Sequence, residues 1–197
     1  VKYDWTFIYK NVPYSVFLYL TELDKSITDQ IRREWSFIEK HNEMWESVPY
    51  PVSFNTVDAV VVQSSHVLLI RRRAEPGKNT WAMPGGYLDL SETYEESMLR
   101  ELKEETLIDV PEKVLRGNIV THRSFADPHR SDRGRLITEA FLIKLPDAAK
   151  FPKVKGSDDA DKAKWVHVND LKREEMFEDH FDIIVNLLSI TPKKRKS

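Results

Sequence analysis

The chain has 197 residues, 30 Lys+Arg against 32 Asp+Glu, a net charge of −2 and no cysteine. That length suits one domain, or one domain with an appendage. The missing cysteines exclude disulfides, thiolate metal sites and a cysteine nucleophile. The near-neutral charge argues against a protein-wide grip on nucleic acid or anionic lipid. No apolar run approaches the ~20 residues of a membrane span, and the N-terminus lacks a signal-peptide layout. A cytoplasmic globular protein is expected.

The first ~50 residues are rich in aromatics. Ile31, Trp35, Ile38 and Trp45 recur at helical steps, with Thr28 or Asp29 to cap the start and the Val48–Pro51 stretch to end the helix. Trp5, Phe7, Phe17, Trp35 and Trp45 together carry too much apolar surface for a loose arm. They are expected to pack against the main domain or across a homodimer interface, and a monomer in light scattering would count against the dimer. Val57–Val62 and Val67–Ile70 read as a hairpin turning at Ser64-Ser65. Loops with Pro76-Gly77 and Pro84-Gly85-Gly86 follow. Ser91–Thr106 reads as a helix capped by Ser91, with Tyr94, Met98 and Leu102 on one stripe. Val114–Phe125, Leu136–Leu145 and Lys164–Val168 read as strands. A last amphipathic helix has the stripe Phe181, Ile184, Val185 and Leu188, and the TPKKRKS tail reads as a solvated charge run.

Six glutamates fall between Glu92 and Glu105, and Glu101, Glu104 and Glu105 project to one side of a helix. A solvated acidic face is the plain reading. If the carboxylates instead converge in a partly buried site, neighbours ~4 Å apart repel by roughly 4 kcal/mol at an effective dielectric of 20. Hard oxygen ligands of this kind suit Mg²⁺ or Mn²⁺ rather than Zn²⁺. Just ahead of them, Gly85-Gly86 allows a ligand to approach the backbone closely.

The stretch GYLDLSETYEESMLRELKEETLI, Gly86 to Ile108, resembles the Nudix box G-x5-E-x7-R-E-u-x-E-E-x-G-u, with u an aliphatic residue. Gly86, Glu92, Arg100, Glu101, Leu102, Glu104, Glu105 and Ile108 match at the required spacing. Leu107 stands where the family has a helix-terminating glycine, so a different helix end is expected. The resemblance implies an α+β Nudix fold, a mixed β-sheet sandwiched between α-helices, here with an N-terminal helical and aromatic extension. The expected organisation is an extension over 1–53, a Nudix domain over 54–190 and a basic tail over 191–197. Glu101, Glu104 and Glu105, with Gly86, would hold the metal, while Arg100 and Glu92 would form a supporting salt bridge.

Segments across residues 54–188 also resemble the Nudix part of bifunctional nicotinamide-mononucleotide adenylyltransferase/ADP-ribose pyrophosphatases. They include FNTVDAVVVQSSHVLLIRRRAEPGKNTWAMPGGYLD, DPHRSDRGRLITEAF and MFEDHFDIIVNLL. Residues 29–50 resemble the linker helix of those proteins, whereas no H-x-G-H signature of the adenylyltransferase half is present. The resemblance implies ADP-ribose as substrate, split into AMP and ribose 5-phosphate, and a homodimer. Arg71, Arg72, Arg130, Arg133 and Arg135 are candidate phosphate contacts because a guanidinium fork matches such oxygens. Gly85 and Gly86 are candidate backbone contacts, and Trp81 or Phe125 a platform for adenine. The catalytic base is expected in the acidic loop, at Asp159 ahead of Asp158 and Asp161, with Glu101 as rival. Alternatives are a Nudix hydrolase of NADH or a nucleotide sugar, or a non-catalytic ADP-ribose-binding regulator.

Overall fold

The computed structural model describes residues 8–9, 12–13, 25–156 and 160–189, with the backbone alone for 8–9, 12–13, 25–28, 160 and 161. It divides into two units between Tyr50 and Pro51. In the first, Ile8–Tyr9 (β1) pairs antiparallel with Val12–Pro13 (β2), and Lys25–Glu43 forms helix α1. The helix begins ahead of the expected Thr28–Asp29 cap and ends before Trp45, which therefore lies on a turn rather than on the helical stripe. Ile31 and Ile38 are buried. His41 stacks on Phe37 at 6.0 Å and meets Trp45 edge-on at 6.4 Å. Trp5, Phe7 and Phe17 lie outside the described residues.

The second unit is built on strands Ser53–Gln63 (β3), His66–Arg72 (β4), Trp81–Ala82 (β5), Gly85–Tyr87 (β6), Ile119–Phe125 (β7), Arg135–Lys144 (β8) and Ala160–His167 (β9). Its helices are Tyr94–Thr106 (α2), Glu112–Gly117 (α3) and His180–Ser189 (α4). The seven strands form one mixed sheet whose spine runs β5-β4-β3-β8-β7, with β6 on β3 and β9 on β4. β3 and β8 run parallel, and the other pairings are antiparallel.

Ala59–Val62 is apolar without alternation because both faces of β3 are covered. Val57, Ala59 and Val61 pack with Met98, Leu99 and Leu102 of α2. Val60 and Val62 pack with Ile183, Ile184 and Leu187 of α4. A buried leucine at such a position contributes roughly 1.5–3 kcal/mol through the water-exposed area it removes. The expected sandwich of a mixed sheet between helices is therefore present. At the β3–β4 hairpin both Ser64 and Ser65 have positive φ, the backbone a two-residue turn of matching twist requires. Asp147 accepts hydrogen bonds from the amide and hydroxyl of Ser64.

Four local expectations change. Helix α2 is capped by Thr93, not Ser91. Thr93 and Glu96 exchange side-chain and backbone hydrogen bonds in a capping box, whereas Ser91 donates from its amide and hydroxyl to Asp89. The strand expected from Val114 starts only at Ile119, because residues 112–117 form α3 behind Pro111, with Leu115 buried and Val114 exposed. Strand β9 extends N-terminally beyond the expected Lys164 along β4. The buried stripe of α4 is His180, Ile183, Ile184 and Leu187, with Val185 and Leu188 on the outer face.

Candidate active site

Helix α2 carries the acidic set. Arg100 sits at its centre: Nε donates to both oxygens of Glu92 at 2.9 and 3.0 Å, and Nη1 to Glu101 at 2.8 Å and Glu104 at 3.0 Å. Nη2 donates to the Ser97 hydroxyl. One guanidinium thus gathers three carboxylates, which hold it well above its ordinary pKa, the Glu92 bond contributing most. The expected Glu92–Arg100 salt bridge is formed.

The glycines sit against this helix because β6 pairs with Thr56–Asp58 of β3. The Gly85 amide donates to Glu105 at 2.9 Å. A Cβ on Gly86 would stand 2.5 Å from the Glu101 carboxylate, and one on Gly85 would stand 2.2 Å from the Val57 carbonyl oxygen. At Gly85 the facing backbone excludes a side chain, whereas at Gly86 the far end of the Glu101 side chain would have to shift.

Burial pushes the Glu105 carboxyl up to about 8, and the neighbouring Glu101 and Asp58 add to the rise. The Gly85 amide and the Arg72 charge oppose it. Glu101 is raised as well, first by burial, against the pull of Arg100. Two partly buried carboxylates held beside each other form a donor set of hard oxygens that fits a divalent cation. Among the described residues no three His, Asp or Glu side chains converge as a closed metal cage. Glu101 and Glu104 are turned toward Arg100, and Glu105 toward the Gly85 amide.

Glu101 and Glu105 open onto a cavity of about 310 Å³. Gly85, Gly86, Arg72, Arg130 and Arg133 also line it. Arg71, Trp81, Phe125 and Arg135 do not. Arg71 donates to the Asn79 carbonyl and Arg135 to the Ala126 carbonyl. Trp81 and Phe125 pack against the α4-side core, with Lys164 over the Trp81 ring at 3.8 Å. Asp158 and Asp159 lie outside the described residues, as does the side chain of Asp161. Of the histidines, His180 is at the start of α4, where its Nδ1 accepts from the Met83 amide at 3.0 Å.

Several lining residues escaped the sequence reading, Asp58, Thr56 and Phe177 among them. Asp58 is buried; one of its carboxylate oxygens accepts from the Thr138 hydroxyl at 2.6 Å, and the other lies beside Gly85. Burial raises its pKa against the opposing pull of Thr138, Arg130, Arg133 and Arg72. Thr56, next to it but one on β3, also lines the cavity, and Phe177 supplies its aromatic wall under the Arg72 guanidinium at 3.9 Å. No motif marks these positions; only the Glu178-Asp179 pair ahead of His180 hints at the last.

A family model described as NUDIX domain matches residues 53–187. An ADP-ribose pyrophosphatase of Methanocaldococcus jannaschii is 33% identical over 117 residues, covering 59% of this chain and 63% of that protein. The crystal structure of a bifunctional NMN adenylyltransferase/ADP ribose pyrophosphatase from Francisella tularensis, complexed with AMP and a Mn ion, superposes with a TM-score of 0.82 at 30% identity. It covers 92% of this chain and 56% of that one, so the chain spans under two thirds of the length of either relative. The NUDIX domain of Shewanella oneidensis NrtR, complexed with ADP ribose, shares the fold with a TM-score of 0.59 at 22% identity, covering 75% of this chain and 95% of that one. With Gly86, Glu101 and Glu105 of the box lining one cavity and the family match running through the whole mixed sheet, the chain belongs to the Nudix family.

Proposed function

We propose that this chain is a divalent-metal-dependent hydrolase that cleaves the pyrophosphate of ADP-ribose to AMP and ribose 5-phosphate. The observation that carries this is the mixed charge of the cavity: Glu101 and Glu105 line it together with Arg72, Arg130 and Arg133. A cavity of that kind can hold a cation and a phosphate anion side by side. The similarity to two ADP-ribose pyrophosphatases supports the choice of substrate.

Glu101, Glu104 and Glu105, with the Gly86 backbone, would hold Mg²⁺ or Mn²⁺. Such an ion, when bound, neutralises phosphate oxygens and lowers the pKa of water. Arg100 keeps the carboxylates oriented and offsets part of their mutual repulsion. Arg130 and Arg133 bind non-bridging oxygens and fix the diphosphate for in-line attack. The water oxygen bonds to phosphorus, the bridging P–O bond breaks with its electron pair leaving on the departing phosphate, and a carboxylate takes the water proton. Asp159 and Glu101 are the two candidates for that base.

Purified chain given ADP-ribose, NADH, a nucleotide sugar and 8-oxo-dGTP at fixed Mg²⁺ should release AMP and ribose 5-phosphate from ADP-ribose in preference to cleaving the others. Glu104→Gln and Glu105→Gln should each lower kcat by about 10²-fold or more, since metal positioning supplies several kcal/mol to the transition state. Intact ADP-ribose, or full turnover in both variants, would overturn the assignment.

A further inference from the structure

Four successive residues, Phe177 to His180, converge on the cavity: Phe177 and His180 line it, and Glu178 and Asp179 hold two of its arginines. Asp179 takes Arg130 fork to fork, from Nε at 3.0 Å and Nη2 at 2.9 Å. Glu178 accepts from Arg133 Nη2 at 3.1 Å and from the Ser131 hydroxyl at 2.7 Å, and that hydroxyl in turn accepts from Arg133 Nε. Phe177 lies between two guanidiniums, Arg72 at 3.9 Å and Arg133 at 5.3 Å from its centroid. His180 receives the Met83 amide. Glu178 has a φ of 41°, in the left-handed region that a non-glycine residue rarely adopts. That backbone turn is kept where consecutive acidic side chains reach two different arginines.

The wall is more than a loop anchor. A guanidinium has five N–H donors. Asp179 occupies one edge of Arg130, whose side chain is 3% exposed, and among the described residues its Nη1 has no hydrogen-bond partner. Arg133 Nη1 is likewise without one. Both arginines line the cavity. A buried cation held from behind by a carboxylate, with donors left over beside a cavity, is built for a second set of anionic oxygens. Tying a loop to a helix start needs neither the burial nor the spare donors.

Resting on the proposed pyrophosphatase reading, we infer that Asp179 and Glu178 are positioning residues for substrate binding: they fix Arg130 and Arg133 so that the free guanidinium edges grip the phosphate oxygens of a nucleoside diphosphate derivative. The carboxylates do not touch substrate. They act through the arginines, and on affinity rather than on the chemical step.

The test uses the full chain with Asp179→Asn and Glu178→Gln, each close in shape to the native residue. Steady-state hydrolysis of ADP-ribose with Mg²⁺ should show KM raised about 10-fold or more with kcat within about threefold, the pattern of lost uniform binding. Calorimetric titration of ADP-ribose in EDTA should show a matching rise in Kd. Should Asp179→Asn fail to fold, Glu178→Gln carries the test alone, because the Arg130–Asp179 pair stays intact in it. Variants that melt at lower temperature yet keep wild-type KM and Kd would overturn the inference by leaving only a structural role. A fall in kcat at unchanged KM would overturn it too. If the wild type hydrolyses ADP-ribose and the variants match it, this inference alone fails. If the wild type binds ADP-ribose without cleaving it and the variants lose binding, the positioning role stands and the hydrolase reading fails. A wild type that neither binds nor cleaves it overturns both.

Discussion

Gly85 and Gly86 adjoin in sequence, yet a side chain added at each would meet a different kind of obstacle. The atom facing Gly85 is the Val57 carbonyl oxygen, fixed in strand β3 between two paired neighbours. The atoms facing Gly86 are the Glu101 carboxylate, the far end of a side chain that can rotate away. Gly85→Ala therefore forces backbone to move and should cost about 1–3 kcal/mol, a drop of several degrees in Tm. Gly86→Ala should leave Tm nearly unchanged and instead displace a metal-site carboxylate. A misplacement of ~1 Å in such a group costs on the order of 10²-fold in rate. Melting curves beside kcat for the two variants check this, and full activity in Gly86→Ala would remove the role given to Glu101's seat against the backbone. The box residues were legible because spacing on a helix fixes direction. The arginines were legible only as a group: in strand β4 neighbouring side chains point to opposite faces. Arg72 but not Arg71 lines the cavity, a distinction that strand pairing sets and residue type does not. Asp58 and Phe177 reach the same cavity from distant stretches, with no motif to announce either.

At the scale of elements, helix α2 shows how a missing box glycine is accommodated. Leu107 adopts the left-handed conformation itself, φ 45° and ψ 36°, so the helix ends as a glycine would end it. Its amide donates to the Lys103 carbonyl, and the Thr106 carbonyl accepts from the Lys155 amide. The departure expected from sequence is thus absent; what differs is strain. A left-handed L-residue costs roughly 1–2 kcal/mol, and the extra unfolded-state freedom of glycine returns roughly 0.5–1 kcal/mol of that. Leu107 is half exposed, so little burial is lost on removing it. Leu107→Gly should raise stability by about 0.5–1 kcal/mol in urea unfolding, with kcat unchanged. A variant no more stable than the wild type would show that the cap is unstrained. The error over α3 has a related cause. Val114 favours strands by type, but Pro111 starts a helical turn, and the Glu112–Arg116 pair one turn apart supports it. Pattern reading weighs single residues, and in a short segment the boundary decides.

The whole molecule depends on how charge is arranged around His180, where α4, the Met83 backbone and the arginine wall meet. Burial lowers its pKa to about 3; Arg130, Arg72 and Arg133 push the same way, and Asp179 opposes them. The neutral ring is also what the Met83 amide requires, because Nδ1 must keep a lone pair to accept its proton. In the unfolded chain the same histidine titrates near 6.5. Between those values the unfolded state binds one more proton than the native state, so stability is full above about pH 7 and falls as pH drops through 6.5 toward 3. One proton corresponds to about 1.4 kcal/mol per pH unit, or about 2 kcal/mol between pH 7.5 and 5. Glu105 works in the opposite direction, since its carboxyl is raised to about 8 and its native form gains protons first as pH falls. The net curve therefore hides both, and substitution separates them. His180→Asn keeps an acceptor for the Met83 amide but removes the titrating group. Denaturant unfolding in EDTA should find the stability margin of the wild type over this variant shrinking by about 2 kcal/mol from pH 7.5 to pH 5. A margin constant across that range would mean that the ring takes up its proton in the folded protein. The charged ring would then stand beside Arg72, Arg130 and Arg133 inside the fold, with the nearby Asp179 offsetting it.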